Sequence, residues 1–335
     1  MSVDNTISLS EWLTVIEGEY LRDYVRAGGA AVKFAITPDS TVTKCLRDGL
    51  AEISGRQGFR FAFIDAATTK VHLVQQVFFA IARQLDWDYL ASRFVFNLFR
   101  EHYRVPEDGQ ALTLRELARL NECEERELNI EFKNRLKKGL LQDYAMALEF
   151  RSAMAALIRY KLDPEGSGTG IDDVIKKWLK GELLYIKPLK DIGIFQKIER
   201  TNAFYLLHSL SHWLKKAGYS GLVILIDIAR YLEDGRRTDG SLSYRKTAVL
   251  DCYEVLRQFI DSVDESENCL IVVAVPPLFA TEAEKRSVDG YQALKMRVWD
   301  EVRDRKRANP LSPMVRLSNT QDSDMPLSES SGEVK

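Results

Sequence analysis

The chain has 335 residues, of which 45% are hydrophobic and 29% are charged, and its formal net charge is −2 with a pI near 6.2. This balance is typical of a globular protein of one large or two ordinary domains, and it excludes a general electrostatic attraction to nucleic acid or to an anionic membrane. The four cysteines are dispersed without a Cys-x-x-Cys pair, which argues against a zinc ribbon and a disulfide framework. We expect a cytoplasmic protein without a membrane span, because no apolar run approaches the ~20 residues that a span requires.

The N-terminal part of the chain predicts a helix followed by two strands. Residues 1–28 are interpreted as a helical segment, with Ser10 as its N-cap and a helix from Glu11 to Ala27. The apolar runs Ala31 to Ile36 and Phe59 to Ile64 then predict strands with a helix between them. This order of strand, loop, helix and strand is typical of an α/β unit.

The loop after the first predicted strand has the position of a phosphate-binding P-loop without its glycines. A P-loop has the spacing Gly-x-x-x-x-Gly-Lys-Ser/Thr, and its backbone N–H groups, lysine and hydroxyl bind phosphates and Mg²⁺. These places hold Pro38, Thr43, Lys44 and Cys45. Pro38 has no N–H, Thr43 carries a side chain where the backbone must approach phosphate, and Cys45 is a poor ligand for Mg²⁺. Of the diagnostic residues only Lys44 is present.

Helical patterns without a strand follow from about residue 70 to residue 183. They comprise Val71–Leu85, Trp87–Tyr103, a region that opens with a capping box at Thr113–Glu116, and Leu140–Tyr160. Residues 161–170 contain a Gly-x-Gly-x-Gly sequence, but it follows a helix rather than a strand, so we interpret it as a linker and not as a dinucleotide fingerprint. Residues 100–182 are therefore interpreted as a large helical insertion.

The second half of the chain again predicts strands that alternate with helices. Gly221–Asp227 and Cys269–Val275 are continuous apolar runs, as expected of parallel strands buried on both faces, and helices are predicted at 202–217 and 245–263. The fold class is therefore α/β, with a mainly parallel sheet flanked by helices. We assign residues 29–99 and 183–317 to the two halves of one α/β domain.

The last residues, 318–335, contain no aromatic residue and are rich in Ser, Asp and Glu. Such a composition cannot bury enough apolar surface to offset the entropy of ordering the chain. We predict a disordered tail.

Asp227 is the main candidate for a functional carboxylate. An aspartate after four hydrophobic residues is the form of a Walker B strand, in which the carboxylate helps to hold Mg²⁺. In hydrolytic relatives the next residue is usually a glutamate that activates water, but here it is Ile228. A buried strand that simply ends in aspartate is the alternative interpretation.

Two further clusters favour structural roles. His208 and His212 are four residues apart on one predicted helix, but no third ligand is evident, so no metal site is predicted. The basic residues near the end of the folded region are Arg297, Arg303, Arg305, Lys306 and Arg307. Acidic residues alternate with them, which is typical of a solvated helix face, and DNA contact stays open as an alternative.

In order and spacing, several segments resemble the ATP-binding protein family of BREX phage-defence systems, P-loop proteins related to AAA+ and STAND ATPases. The segments are Tyr144–Arg151, Trp178–Gly181, Gly193–Ile194 through Asn202–Ala203, Gly218–Asp227, Pro276–Phe279 and Tyr291–Arg297. Together they cover about residues 30–317. The resemblance implies a P-loop NTPase (AAA+-like) fold, ATP with Mg²⁺ as the ligand class, and other defence-system proteins as partners in a hetero- or homo-oligomer.

The resemblance also shows where this chain departs from the family's site. The P-loop falls on Pro38–Cys45 without glycines, the Walker B Asp-Glu pair on Asp227–Ile228, and the small polar pair of the later strand on Ala274–Val275. The implied nucleotide-binding set is then Thr43, Lys44, Cys45 and Asp227, without a catalytic residue and with no cofactor certain.

The leading hypothesis is a non-hydrolysing P-loop subunit of a defence complex that could lend Arg297 to a partner's nucleotide. An active or nucleotide-binding ATPase and a DNA-binding adaptor are the alternatives.

Overall fold

A single parallel sheet organises the chain, because its strands are apolar runs that helical crossovers cover on both faces. The computed structural model describes residues 6–106, 113–163, 170–235, 238–282, 284–299 and 308–318. The six strands of the sheet are β1 (Thr6–Ser8), β2 (Ala30–Ile36), β3 (Phe59–Asp65), β4 (Gly221–Asp227), β5 (Cys269–Val275) and β6 (Met314–Ser318). Their order is β1-β6-β2-β5-β4-β3, and every pair is parallel. The predicted α/β class is confirmed, and the architecture is that of a P-loop NTPase-like fold.

The four strands predicted from apolar runs are present, whereas β1 and β6 were not predicted. Thr6 pairs with Arg316 and Ser8 with Ser318, so these two short strands extend the sheet beyond β2. The helical interpretation of residues 1–28 was therefore incomplete. The first helix also begins earlier than predicted, because Ser8 rather than Ser10 caps it by accepting a hydrogen bond from the Glu11 N–H.

The helices described are α1 (Leu9–Val15), α2 (Ser40–Arg56), α3 (Val74–Arg83), α4 (Trp87–Phe99), α5 (Leu114–Leu120), α6 (Glu125–Leu136), α7 (Leu148–Leu162), α8 (Ile171–Leu179), α9 (Ala203–Lys216), α10 (Ala229–Leu232), α11 (Lys246–Asp261) and α12 (Gln292–Val298). A π-helical stretch, Ile16–Val25, continues α1. The capping box at Thr113 and Glu116 is confirmed. The helix predicted from Leu140 to Tyr160 was wrong at its start, because a turn separates Leu141 from α7.

The sheet buries side chains on both faces. Val223 and Leu225 of β4 belong to the core under α1 and α2, whereas Ile224 and Ile226 belong to the core on the other face. This alternation explains why β4 reads as a continuous apolar run. The core that contains Ile224 and Ile226 also includes residues from α4 to α8, so these helices and the sheet share one hydrophobic core.

Within the described ranges no helix is long and apolar enough to cross a membrane.

Candidate nucleotide site

The candidate site lies where β2, β3 and β4 end, at the carboxyl edge of the sheet. β5 lies between β2 and β4, and Asp227 is level with Ala274 of β5. Because neighbouring strands are about 4.8 Å apart, the end of β2 and Asp227 are separated by about 10 Å. The fold therefore brings the loop after β2 and the Walker B-like aspartate to the same edge of the sheet.

The connection from β2 to α2 is a three-residue turn, Thr37 to Asp39. The Thr37 N–H donates to the Val275 carbonyl at 2.9 Å, which continues the pairing of β2 with β5. Asp39 is the N-cap of α2, and its Oδ1 accepts hydrogen bonds from the N–H groups of Thr41 at 2.7 Å and Val42 at 2.9 Å. The N-terminus of α2, where P-loop proteins bind phosphate, thus carries a carboxylate of the chain itself.

Two threonine hydroxyls close this turn from within. The Thr43 hydroxyl donates to the Asp39 carbonyl at 3.1 Å, and the hydroxyls of Thr37 and Thr43 are 2.8 Å apart. Since the Thr43 proton is directed at Asp39, Thr37 is the donor between the two hydroxyls. Thr37 is buried, so this bond satisfies a polar group that is shielded from solvent.

Lys44 and Cys45 lie on α2 beyond its first turn rather than at its N-terminus. Both side chains are exposed. Lys44 forms no hydrogen bond or ion pair with the residues that the structure describes, and it follows four helical residues, Ser40 to Thr43. In a P-loop the lysine opens the helix next to the phosphates, so the short turn places Lys44 about one helical turn too late.

Asp227 ends β4 next to a second carboxylate. Its Oδ1 accepts from the Ala229 N–H at 2.9 Å, and Asp65 is directly opposite in the register of β3 and β4. Burial, with smaller contributions from Asp65 and Glu233, raises the pKa of Asp227 to about 6, although the bond from Ala229 opposes the shift. The Asp65 carboxylate accepts from the Ala67 N–H at 2.7 Å.

The residues at the water-activating and sensing positions are apolar and buried. The Ile228 side chain is fully buried, and its N–H donates to the Ala274 carbonyl at 3.1 Å. Ala274 and Val275 are likewise buried in β5. None of the three side chains can donate or accept a proton.

A comparison with known protein families identifies the group to which this fold belongs. The family model of the BREX system ATP-binding protein BrxC/D matches residues 113–328. The chain belongs to this family. No curated protein and no solved structure matches it.

Membership in the BREX ATP-binding family makes the chain a component of a BREX phage-defence system. The matched range contains Asp227 and β5 but begins after α4, so it leaves out β2 and the turn before α2. The part of the chain that the family model recognises therefore does not include the P-loop-like segment.

The structure adds two tyrosines that the sequence did not single out. The Tyr231 oxygen accepts from the His72 main-chain N–H at 2.9 Å and lies 2.7 Å from His72 Nδ1. Tyr244 stacks on Tyr231 and donates to the Ala66 carbonyl at 2.6 Å. These contacts join the segments that follow β3 and β4. No local pattern in the sequence indicates these two tyrosines, because the residues that they contact lie far away in the chain.

The Tyr231 hydroxyl contacts both the main chain and the ring of His72. Its oxygen accepts from the His72 main-chain N–H, and it forms a second hydrogen bond with His72 Nδ1. Burial lowers the pKa of His72 and raises that of Tyr231. The contacts between Tyr231 and His72 make the pair a structural clamp between the segments that follow β3 and β4.

The remaining predicted residues lie away from this edge. Arg297 binds both oxygens of Asp261 at the end of α11, the helix that leads into β5, and hence at the amino edge of the sheet. His212 contacts Asp143 at 2.9 Å and Glu267 at 3.1 Å. Among the residues described, no group of three potential ligands could hold a metal ion. Arg303, Arg305, Lys306 and Arg307, most of the glycine-containing linker, and the tail from residue 319 lie outside the described residues.

Proposed function

We propose that this chain is a non-hydrolysing, ATPase-like subunit with a structural or regulatory role in a BREX defence assembly. The observation that carries the proposal is the N-cap of α2. The Thr41 and Val42 N–H groups bind the Asp39 carboxylate, whereas a P-loop presents such groups to a phosphate. The partial positive charge at this helix end is already offset by an anion of the chain itself.

The turn does not fit a bound triphosphate. It is three residues long, and Pro38 at its centre has no N–H to donate. A phosphate placed at the start of α2 would also face the Asp39 carboxylate. Two like charges about 4 Å apart repel by about 1 kcal/mol in water and about 4 kcal/mol near a protein surface. Phosphate binding would therefore require Asp39 to leave its cap and the turn to open.

Hydrolysis lacks a group that could activate water at the usual position. Ile228 stands where hydrolytic relatives carry a glutamate, and its side chain is buried beneath the edge. General-base catalysis needs a titratable group within hydrogen-bond reach of the attacking water. The combination of the capped helix and Ile228 supports a chain that has lost both phosphate binding and water activation.

Asp227 favours the alternative of a nucleotide-binding or active ATPase. It lies at the edge where a Walker B aspartate is expected, and Asp65 lies beside it. Carboxylate oxygens suit Mg²⁺. In this alternative a cation would be held by Asp227, and Lys44 would have to reach the phosphates from the second turn of α2.

One set of measurements separates these functions. We expect ATP with Mg²⁺ to leave the melting temperature unchanged, and we expect no phosphate release above that of Asp227→Ala. A ligand at about 100 times its dissociation constant would stabilise the fold by roughly 2.7 kcal/mol, which is a shift of several degrees. ATP turnover by the parent that is lost in Asp227→Ala would refute the proposal.

A second outcome identifies binding without hydrolysis. Suppose that ATP with Mg²⁺ raises the melting temperature but no turnover is detected. If this shift is lost in Lys44→Ala and kept in Lys190→Ala, the result would support a nucleotide-binding subunit. Lys190 is a matched control, because it is also an exposed lysine and lies far along the chain in a short helical turn. The assays should be repeated with the partner proteins of the defence system, since a composite site would need them.

A contribution of Arg297 to a partner's nucleotide belongs to the same proposal. Its guanidinium is engaged by Asp261, and its Nη1 donates to the Ala293 carbonyl at 2.6 Å. Use of Arg297 in trans would require the ion pair to break on assembly. An Arg297→Lys variant that lowers a partner's ATPase activity without changing complex formation would support this role.

A further inference from the structure

A gap in the sheet exposes one edge of β2. β6 pairs with β2 only from Phe34 to Ile36, and the last bond before the gap runs from the Phe34 N–H to the Pro313 carbonyl at 2.8 Å. Among the residues that the structure describes, Ala30 to Lys33 of β2 pair only with β5, on the other side of the strand. The gap lies at the amino edge of the sheet, opposite to the candidate nucleotide site.

Val32 presents unpaired main-chain groups to this gap. Alternate residues of a strand direct their N–H and C=O groups to the same side. The main-chain groups of Phe34 are directed towards β6, so those of Val32 point to the same side of β2. The Val32 N–H and C=O form no hydrogen bond with any residue in the described ranges. Unpaired strand edges are templates for the addition of another strand.

Lys33 brings an uncompensated charge to the same place. Only 6% of this residue is exposed, and its Nζ donates to the carbonyls of Leu311 at 2.5 Å and Ser312 at 3.2 Å and lies 4.7 Å from the Tyr20 ring centre. No carboxylate of the described chain pairs with it. Burial accordingly lowers the pKa of Lys33 to about 8. A buried ammonium without an anionic partner is costly, and an incoming carboxylate would relieve that cost.

The gap opens into a cavity of about 620 Å³, within the range of ~300–1,000 Å³ for ligand sites. Its wall is formed chiefly by Tyr20, Tyr24, Val32, Lys33, Leu311 and Pro313. Three other charged residues line the cavity. The carboxylates of Glu19 and Asp264 are exposed to solvent, and the charge of Arg297 is neutralised by Asp261. The charge at the buried end of the cavity is therefore that of Lys33.

We propose that this gap binds an extended acidic segment of a partner protein, which pairs with the Val32 edge as an added strand and places a carboxylate at Lys33. The main-chain bonds provide affinity without sequence preference, and the carboxylate provides selectivity, as in other cases of strand addition. The inference does not depend on whether the chain binds ATP.

The probe is a fluorescein-labelled peptide, acetyl-Val-Glu-Val-Glu-Val-amide, measured by fluorescence anisotropy with the full chain. We expect saturable binding, and we expect affinity to fall roughly tenfold or more when Gln replaces Glu in the peptide or in Lys33→Met. Lys190→Met should bind like the parent. Absence of binding, or equal affinity for the Glu and Gln peptides, overturns the proposal. The comparison of the two peptides uses the parent chain, so it does not require any variant to fold.

Hydrogen exchange tests the strand pairing directly. The Val32 amide should exchange freely in the peptide-free protein and become protected when the Glu peptide is bound. Protection that is equal in both states would mean that this edge is already paired, and it would overturn the proposal. A bound peptide that leaves the Val32 amide unprotected would refute strand addition as well.

Discussion

Replacement of Asp39 tests the interaction on which the proposed loss of phosphate binding depends. In Asp39→Ala the N–H groups of Thr41 and Val42 lose the carboxylate that they bind at 2.7 and 2.9 Å. Loss of such a cap typically costs about 0.5–2 kcal/mol. We expect about 1 kcal/mol here, because Asp39 is exposed and water can replace part of the interaction. For a chain of this size the melting temperature should fall by about 1–2 °C.

Urea unfolding of a small series separates the hydrogen bonds from the charge. Asp39→Asn keeps an acceptor for the two N–H groups but removes the charge, so it should cost only the dipole contribution of about 0.3–1 kcal/mol. Asp86→Ala is the matched control, because Asp86 caps α4 through one N–H, that of Tyr89, at 3.0 Å. It should lose no more stability than Asp39→Ala.

Inorganic phosphate then tests whether the carboxylate occupies an anion position. Excess phosphate should restore part of the stability of Asp39→Ala and leave the parent unchanged, because only the variant has free N–H groups at this helix end. An unfolding free energy of Asp39→Ala equal to that of the parent would refute the capping argument. Equal stabilisation of both proteins by phosphate would refute the claim that Asp39 blocks an anion.

Two further substitutions probe the opposite side of the site. Burial raises the pKa of Asp227 from 3.8 to about 6. The stability that this protonated carboxyl contributes is therefore complete below about pH 4 and is lost as the pH rises through 6. Asp227→Asn should have a higher unfolding free energy than the parent by on the order of 2 kcal/mol near pH 8, and the difference should close towards pH 4. A pH-independent difference in urea titrations would contradict this assignment. Ile228→Glu should not restore hydrolysis, and it should lower the unfolding free energy by about 3 kcal/mol or more, because it places a carboxylate in a fully buried position. Phosphate release by a stably folded Ile228→Glu variant would show that the site still holds ATP.

The strands β2 to β5 could be predicted because each is a run of apolar residues that is buried by its own composition. β4 is the clearest case, since both faces of the strand pack against helices. β1 and β6 escaped prediction because they have three and five residues and bury few side chains, among them Ile7, Val315 and Leu317. Their pairing depends on a partner about 310 residues away, which no local pattern reveals.

Some features of the candidate site have a local signal in the sequence, and others depend on contacts between distant parts of the chain. Asp227 was found because a carboxylate at the end of an apolar strand is visible in the sequence. The cap at Asp39 has a local signal, an aspartate followed by a helical pattern, whereas the P-loop spacing marks Lys44. The clamp between His72 and Tyr231 joins residues that are 159 positions apart.

Residue identity and local periodicity are enough to reveal the α/β class, the four central strands, the family resemblance and the absence of P-loop glycines and of a Walker B glutamate. The folded structure adds that α2 begins at Ser40 with Asp39 as its cap, that Lys44 lies in the second turn of α2, and that β6 leaves part of β2 unpaired beside Lys33. The physical reason is that hydrogen bonds at helix ends and strand edges depend on where the folded chain turns and which strand arrives alongside.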